Sequence, residues 1–414
     1  MMENKEKSLT RRDFIKAGGL ATAGLAIYAM PSWLRAAAVS ATSQDKTFVV
    51  LFQRGAADGL NIVVPFADPL YQAARPTIGL KEPGRDAGVL DLDGKFGLHP
   101  TLSPLMPLWQ NGQMAIVHAT GSPDGSRSHF DAQDNMETGT PGISTTPDGW
   151  LNRALATQGK NTDPLTAIAL TARLPRILRG DYPVSAMTSA GGYDFSMGAQ
   201  ESDTISSLYG GNADSLLSNA GKETSESVKL VESLLKNAPN PLASANYSQS
   251  DLGHRFSDLA KLIKAGAGVK VGFLDVGGWD NHYEEGSVQG YLSYAFKDYG
   301  QNIAAFFTDL GDKARDVVLV TMTEFGRTLN ENGARGTDHG HGSVMFVIGG
   351  SVKGGKVYGR WPGLEPENLY EGRDLQVTTD FRQVHLEVLQ KHLKITHHSS
   401  VFPSFNPETN LGFL

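Results

Sequence analysis

The sequence predicts an α/β fold with a largely parallel central sheet, and three observations lead there. Short apolar runs of strand length recur along the chain. Segments with helical spacing stand between them. Glycine is abundant, 47 of 414 residues, and it gathers in the turns that follow the apolar runs. Hydrophobic residues make up 40% and charged residues 20%, ordinary values for a chain long enough to bury a large core. Cysteine is absent, which excludes a disulfide, a thiolate nucleophile and a thiolate-bound metal.

The chain opens on Thr10-Arg11-Arg12-Asp13-Phe14-Ile15-Lys16, the pattern of a twin-arginine export signal. A Gly/Ala-rich apolar stretch follows from Ala17 to Met30, shorter than a bilayer-spanning helix needs. Ala36-Ala37-Ala38 or Val39-Ser40-Ala41 offers small residues for cleavage. The alternative is an uncleaved membrane anchor. The expectation is a leader over 1–41, a single domain over 42–414, transit through the twin-arginine (Tat) translocase, and a periplasmic or extracytoplasmic address. Removing the leader leaves 31 basic and 41 acidic residues, a net charge of −10. With no basic run or aromatic-basic patch, nucleic acid is excluded as a partner.

Taken in order, Thr47 to Phe52 is apolar on both faces and reads as a buried strand. It leads into Arg54-Gly55-Ala56-Ala57-Asp58-Gly59-Leu60-Asn61, where small residues permit a sharp turn and a close ligand. Asp58 is the first functional candidate; its plainer reading is a turn or N-cap aspartate. Leu102 to Trp109 reads as a short helix, and Met114 to Ala119 as the second strand. A helix is expected to start near Ser128, ahead of Phe130-Asp131-Ala132-Gln133. Serine at a helix N-terminus meets free N–H groups that favour an anion or alkoxide, which suits a nucleophile; it also simply caps helices. Arg127 and His129 flank it, and together they move the reading toward chemistry.

A third strand covers Pro164 to Leu170. From about 193 to 264 the composition turns Ser-, Asn- and Ala-rich with helical spacing, read as a helical insertion over the sheet. Val271 to Val276 is the fourth strand and delivers Gly277-Gly278-Trp279-Asp280-Asn281-His282. Tyr291 to Leu310 is an amphipathic helix. The fifth strand, Val317 to Met322, delivers Glu324 and Arg327 and then a loop closing on Asp338-His339-Gly340-His341. Val344 to Ile348 is the sixth strand, and Val384 to Leu393 a helix capped by Thr379 or Asp380. Carboxylates and imidazoles thus bunch where apolar strands end. Ligands of parallel sheets bind outside the carboxyl ends of the strands, and mixed oxygen and nitrogen donors suit a divalent cation.

These motifs, with Thr323-Glu324-Phe325-Gly326-Arg327-Thr328, Gly336 to Gly342 and Thr379-Asp380-Phe381-Arg382-Gln383, resemble a large bacterial family of unknown function, DUF1501. That family looks like a distant branch of the alkaline phosphatase and sulfatase superfamily. The resemblance implies a three-layer alkaline-phosphatase-like sandwich with a helical insertion. It implies one or two divalent ions (zinc, manganese, magnesium or calcium) held among Asp58, Asp280, His282, Glu324, Asp338, His339 and His341. Ser128 looks like the nucleophile, with His129 as general acid or extra ligand and Arg127 or Arg327 neutralising the ester's oxygens. Phe325 departs from the pattern, standing where a ligand histidine follows the carboxylate, so the second metal site is rebuilt or lost. The implied activity is metal-dependent hydrolysis of phosphate or sulfate esters, on a small ester or a glycan. The alternative is a non-catalytic exported protein that keeps the fold for binding or structure.

Overall fold

Three strands at the centre of the molecule end on the same rung, and that register sets where everything else can act. The structure, a computed structural model, describes residues 46–159, 163, 165–188 and 238–414. The leader and positions 193–237 of the expected helical insertion lie outside the described residues. Strand β1 (Thr47–Gln53) pairs in parallel with β5 (Val271–Val276) on one side and β6 (Val317–Thr323) on the other. Gln53 faces both Val276 and Thr323, so the chain leaves all three strands side by side.

The remaining strands of this sheet are β2 (Met114–Gly121), β3 (Ala167–Ala169), β4 (Ser185–Ala186), β7 (Ser343–Gly349), β8 (Lys356–Tyr358) and β9 (Thr379–Asp380). Their order is β8-β2-β7-β6-β1-β5-β3-β4, with β9 also on β2. Every pairing is parallel except those of β7, which runs antiparallel to both β2 and β6. The largely parallel sheet expected from sequence is therefore present. The reversal of β7 has a consequence for the site. The loop between β6 and β7 both starts and ends at the carboxyl edge of the sheet, so it presents residues there twice.

Helices cover both faces. Helix α3 (Asp251–Lys264) and α4 (Tyr291–Leu310) bury Phe256, Leu259, Phe296, Ile303 and Phe306 on one side. Helix α2 (Trp150–Ala156) and α5 (Phe381–Lys391) bury Trp150, Leu151, Val384 and Val388 on the other. Strand β1 shows why its sequence is apolar throughout. Val49 and Leu51 enter the first core, while Phe48, Val50 and Phe52 enter the second. A strand buried on both faces needs no polar alternation. This is the three-layer α/β sandwich. The described end of the expected insertion, α3, is a core helix packed on the sheet. Among the described residues no helix is long and apolar enough to cross a membrane.

Candidate metal centre

The site is built where β1, β5 and β6 end. The turn after β1 begins with Gly55, whose φ of +118° suits glycine and whose backbone lies against the Asp280 amide. Its N–H donates to Glu324 Oε1 at 2.8 Å. After β6 the chain makes a tight hairpin: Gly340 N donates to Gly326 O, and Thr328 N to Asp338 O. That pairing sets His339 across from Arg327. Gly336 lets the returning strand pass against the backbone of His282 and Tyr283, where a Cβ would collide.

Helix α1 (His129–Thr138) brings the last component. Ser128 is its N-cap, accepting from Asp131 N at 3.5 Å, and Gly139 ends it in the left-handed conformation. His129, Gln133 and Glu137 recur every four residues and so share one face. Glu324 Oε1 lies 2.8 Å from His129 Nδ1 and accepts from Gln133 Nε2 at 2.9 Å. Arg54 donates to Gln133 and Glu137 at 2.9 Å and to Asp275 at 2.7 Å, tying α1 to the end of β5.

Three imidazoles converge. His339 Nε2 lies 3.0 Å from His129 Nε2 and 3.0 Å from His282 Nε2. Asp280 completes the group: its carboxylate is 2.8 Å from His282 Nε2, 3.1 Å from His339 Nε2 and 3.3 Å from His129 Nε2. On each ring the other nitrogen faces an acceptor. His129 Nδ1 meets Glu324, His282 Nδ1 meets Asp338 at 3.0 Å, and His339 Nδ1 meets the Arg127 carbonyl at 2.8 Å. A carbonyl only accepts, so His339 Nδ1 carries a proton. The same tautomer on the other two rings leaves three Nε2 lone pairs and a carboxylate aimed at one another. Such a set is repulsive alone and is satisfied by a cation.

The surroundings strengthen that charge pattern. Burial pushes the Asp280 carboxyl up, but the hydrogen bond and charge of Arg327, followed by His339, outweigh it and bring it down to about 2. Glu324 is likewise held low against its burial by His129 and Gln133. The hydrogen bond to Glu324 raises His129, while burial lowers His339. Phe325 packs against the rings of His129 and His339 at 5.1 Å and, with Ala56 and Ala132, forms an apolar floor.

The sequence candidates therefore separate. His129, Asp280, His282 and His339 come together. Glu324 and Asp338 sit one shell out, orienting rings. Arg327 is fully buried, donating to Asp280 at 2.8 Å and to Thr337. Arg127 supplies its backbone carbonyl to His339 and its guanidinium to Asp374 and Glu371. His341 stacks on Tyr370 at 4.1 Å, away from the group, and burial lowers its pKa. Asp58 is locked in a buried pair with Arg75, at 2.5 and 3.0 Å. Sequence reading assigned no role to Gln133 or Arg54. The four-residue recurrence of His129, Gln133 and Glu137 was the available signal for the first.

Behind the centre, Arg327 leads through Thr337 to the buried Glu285, whose Oε2 accepts from Thr337 at 2.7 Å. Burial and the neighbouring Asp58 carboxylate hold Glu285 well above the usual carboxyl range. A carboxyl that keeps its proton only when folded stabilises the fold below the unfolded pKa of 4.5, and that contribution is lost as pH rises toward the folded pKa. Glu285→Gln cannot ionise. Its unfolding free energy is expected to gain on the wild type by up to about 1.4 kcal/mol per pH unit above that point until the folded pKa is reached. Denaturant titrations of both proteins at several pH values check this; parallel curves would refute it.

An α/β sandwich with an imidazole and carboxylate cluster at the carboxyl edge of its sheet defines the class of this molecule. The chain itself belongs to the family described as "Protein of unknown function (DUF1501)", whose profile matches residues 45–404. No curated protein matches the sequence significantly. Similar solved structures include the lipoteichoic acid synthase LtaP from Listeria monocytogenes, at 12% identity and a TM-score of 0.34, covering 75% of this chain and 66% of that one. A protein in the alkaline phosphatase superfamily from Vibrio parahaemolyticus is 15% identical with a TM-score of 0.30, covering 77% and 68%. The phosphonate monoester hydrolase of Agrobacterium radiobacter is 10% identical with a TM-score of 0.34, covering 88% and 78%.

Proposed function

We propose that this protein is an exported, metal-dependent hydrolase of phosphate or sulfate esters. The observation that carries the proposal is the convergence of His129, His282 and His339 Nε2 with Asp280, each ring held by its other nitrogen. These four residues would hold one divalent cation. When bound, such an ion supplies Lewis-acid polarisation of an ester oxygen and lowers the pKa of a nearby hydroxyl. The chain's own residues prepare the rest. Glu324 and Asp338 fix the ring tautomers. Arg327 holds Asp280 ionised and oriented. Both ring nitrogens of His129 are engaged, so its role here is as a ligand. Ser128 stands exposed at the N-terminus of α1, beside His129, where free N–H groups favour an alkoxide. It is the nucleophile of this reading, and water is its substitute. Arg127, with a partly exposed guanidinium, is the group placed to meet the ester's oxygens.

The test is turnover of aryl phosphates and aryl sulfates with and without added zinc or manganese. Activity that depends on the metal and disappears in Asp280→Ala supports the proposal; its absence with every metal refutes it. Ser128→Ala separates the two nucleophiles: a loss of roughly a hundredfold or more fits covalent attack, and unchanged turnover assigns the attack to water. A second reading, a cation kept for stability in a non-catalytic protein, is favoured by one observation. Arg127 and Arg327 are both already paired with carboxylates, which leaves the ester's charge less well met. Metal removal that lowers the melting temperature while no ester is ever turned over would select it.

A further inference from the structure

Four exposed aromatic side chains of the described residues stand on the segments that build this site or on α4 beside it. They are Phe130 at 90% exposure, Tyr283 at 72%, Tyr291 at 56% and Tyr294 at 74%. Large aromatic rings are normally buried, and several left in water on one surface mark a binding face. Phe130 directly follows His129, and Tyr283 directly follows His282. Tyr291 brings its hydroxyl against Gly278, two residues before Asp280. Tyr294 follows three residues later on the same face of α4. The centre they surround is itself open, with the side chains of His282, Asp280 and Asp338 about half exposed.

Resting on the hydrolase reading, we propose that the ester is carried on a carbohydrate chain and that these aromatics are the platform on which its sugar rings stack. A centre whose side chains stand about half exposed suits an extended ligand better than a fully enclosed one. Tyrosine offers a flat apolar face and a hydroxyl together, matching a sugar's C–H face and its hydroxyl rim. The charge around the platform selects the kind of chain. Asp131 beside Phe130, Glu284 beside Tyr283, and Glu371 are exposed acids. The nearby guanidiniums of Arg127 and Arg335 are paired with carboxylates. Exposed Lys297, one turn beyond Tyr294, is outnumbered by these acids, so a densely anionic polymer or an anionic bilayer would meet net repulsion. A neutral or sparsely substituted polysaccharide meets none.

Native gel electrophoresis through gels cast with xylan, laminarin, dextran or galactomannan tests this without any turnover. The wild type is expected to be retarded by at least one of them. Phe130→Ala combined with Tyr283→Ala should weaken that retardation roughly tenfold, and both residues are exposed enough that the fold should tolerate it. Retardation in none of the gels overturns the proposal, as does retardation that the double variant leaves unchanged. Cosedimentation with phosphatidylethanolamine–phosphatidylglycerol vesicles that the double variant abolishes, without polysaccharide binding, overturns it in favour of a membrane. Aromatic-dependent polysaccharide binding in a protein that hydrolyses no ester would sustain the platform and sink only the hydrolase reading.

Discussion

Protein purified without chelator or metal-affinity resin is expected to carry about one equivalent of a divalent cation, because among the described residues one donor set converges, His129, Asp280 and His339 with His282 against them. Mass spectrometric metal analysis reads this directly. Asp280→Ala and His339→Ala should each lose the ion, since each removes a donor from the middle of the set. Glu324→Gln is the more discriminating change. It keeps the shape and an acceptor for His129 Nδ1 but removes the charge that raises the ring's basicity, so metal affinity should fall by roughly ten- to a hundredfold while the fold stands. Stripping the ion should also lower the melting temperature, because a cation bound only by the folded state stabilises it in proportion to ln(1 + [M]/Kd). A folded protein free of metal, with Asp280→Ala melting no differently from wild type, would end the metal reading. About two equivalents would require donors beyond the four, and Glu324, Asp338 and His341 would return as ligands.

How much of this was legible in the sequence depended on whether the signal was local. The central strands were, since a run apolar on both faces can be little else than a buried strand, as in Thr47–Gln53. The start of α1 at Ser128 was too, because a cap and a breaker-free run are local signals. The edge on which the chemistry gathers followed from strand order and one general rule. What stayed hidden was pairing. Nothing local says that Asp58 would pair with Arg75, seventeen residues on. Nor does spacing show that Glu324 meets the Nδ1 of His129. The reversal of β7 was equally invisible: Ser343–Gly349 reads the same in either direction, yet its direction is what returns His339 to the edge that Glu324 had just left. Phe325 stands where a ligand histidine is expected; its place as an apolar floor under two rings appears only once the rings are located.

Asp58 supports the other large effect. Its partner Arg75 is wholly buried and also donates to the carbonyls of Thr328 and Leu329 at 2.8 and 2.9 Å, so one guanidinium joins the turn after β1 to the loop after β6. Arg75→Met leaves Asp58 buried and uncompensated beside Glu285, and is expected to destabilise the fold by about 3–5 kcal/mol. Urea unfolding measures it. Asp58→Asn should cost less, since the amide can still accept from Arg75, and the pair Asp58→Asn with Arg75→Met should recover part of the loss by removing both charges. Metal content then separates the two roles open to this aspartate. If Asp58 is a structural anion, Asp58→Asn keeps its metal and loses only stability. If instead the ion leaves a still-folded Asp58→Asn protein, the aspartate must turn from Arg75 to the cation when the ion is bound, and Arg75 would then be its holder in the empty state only.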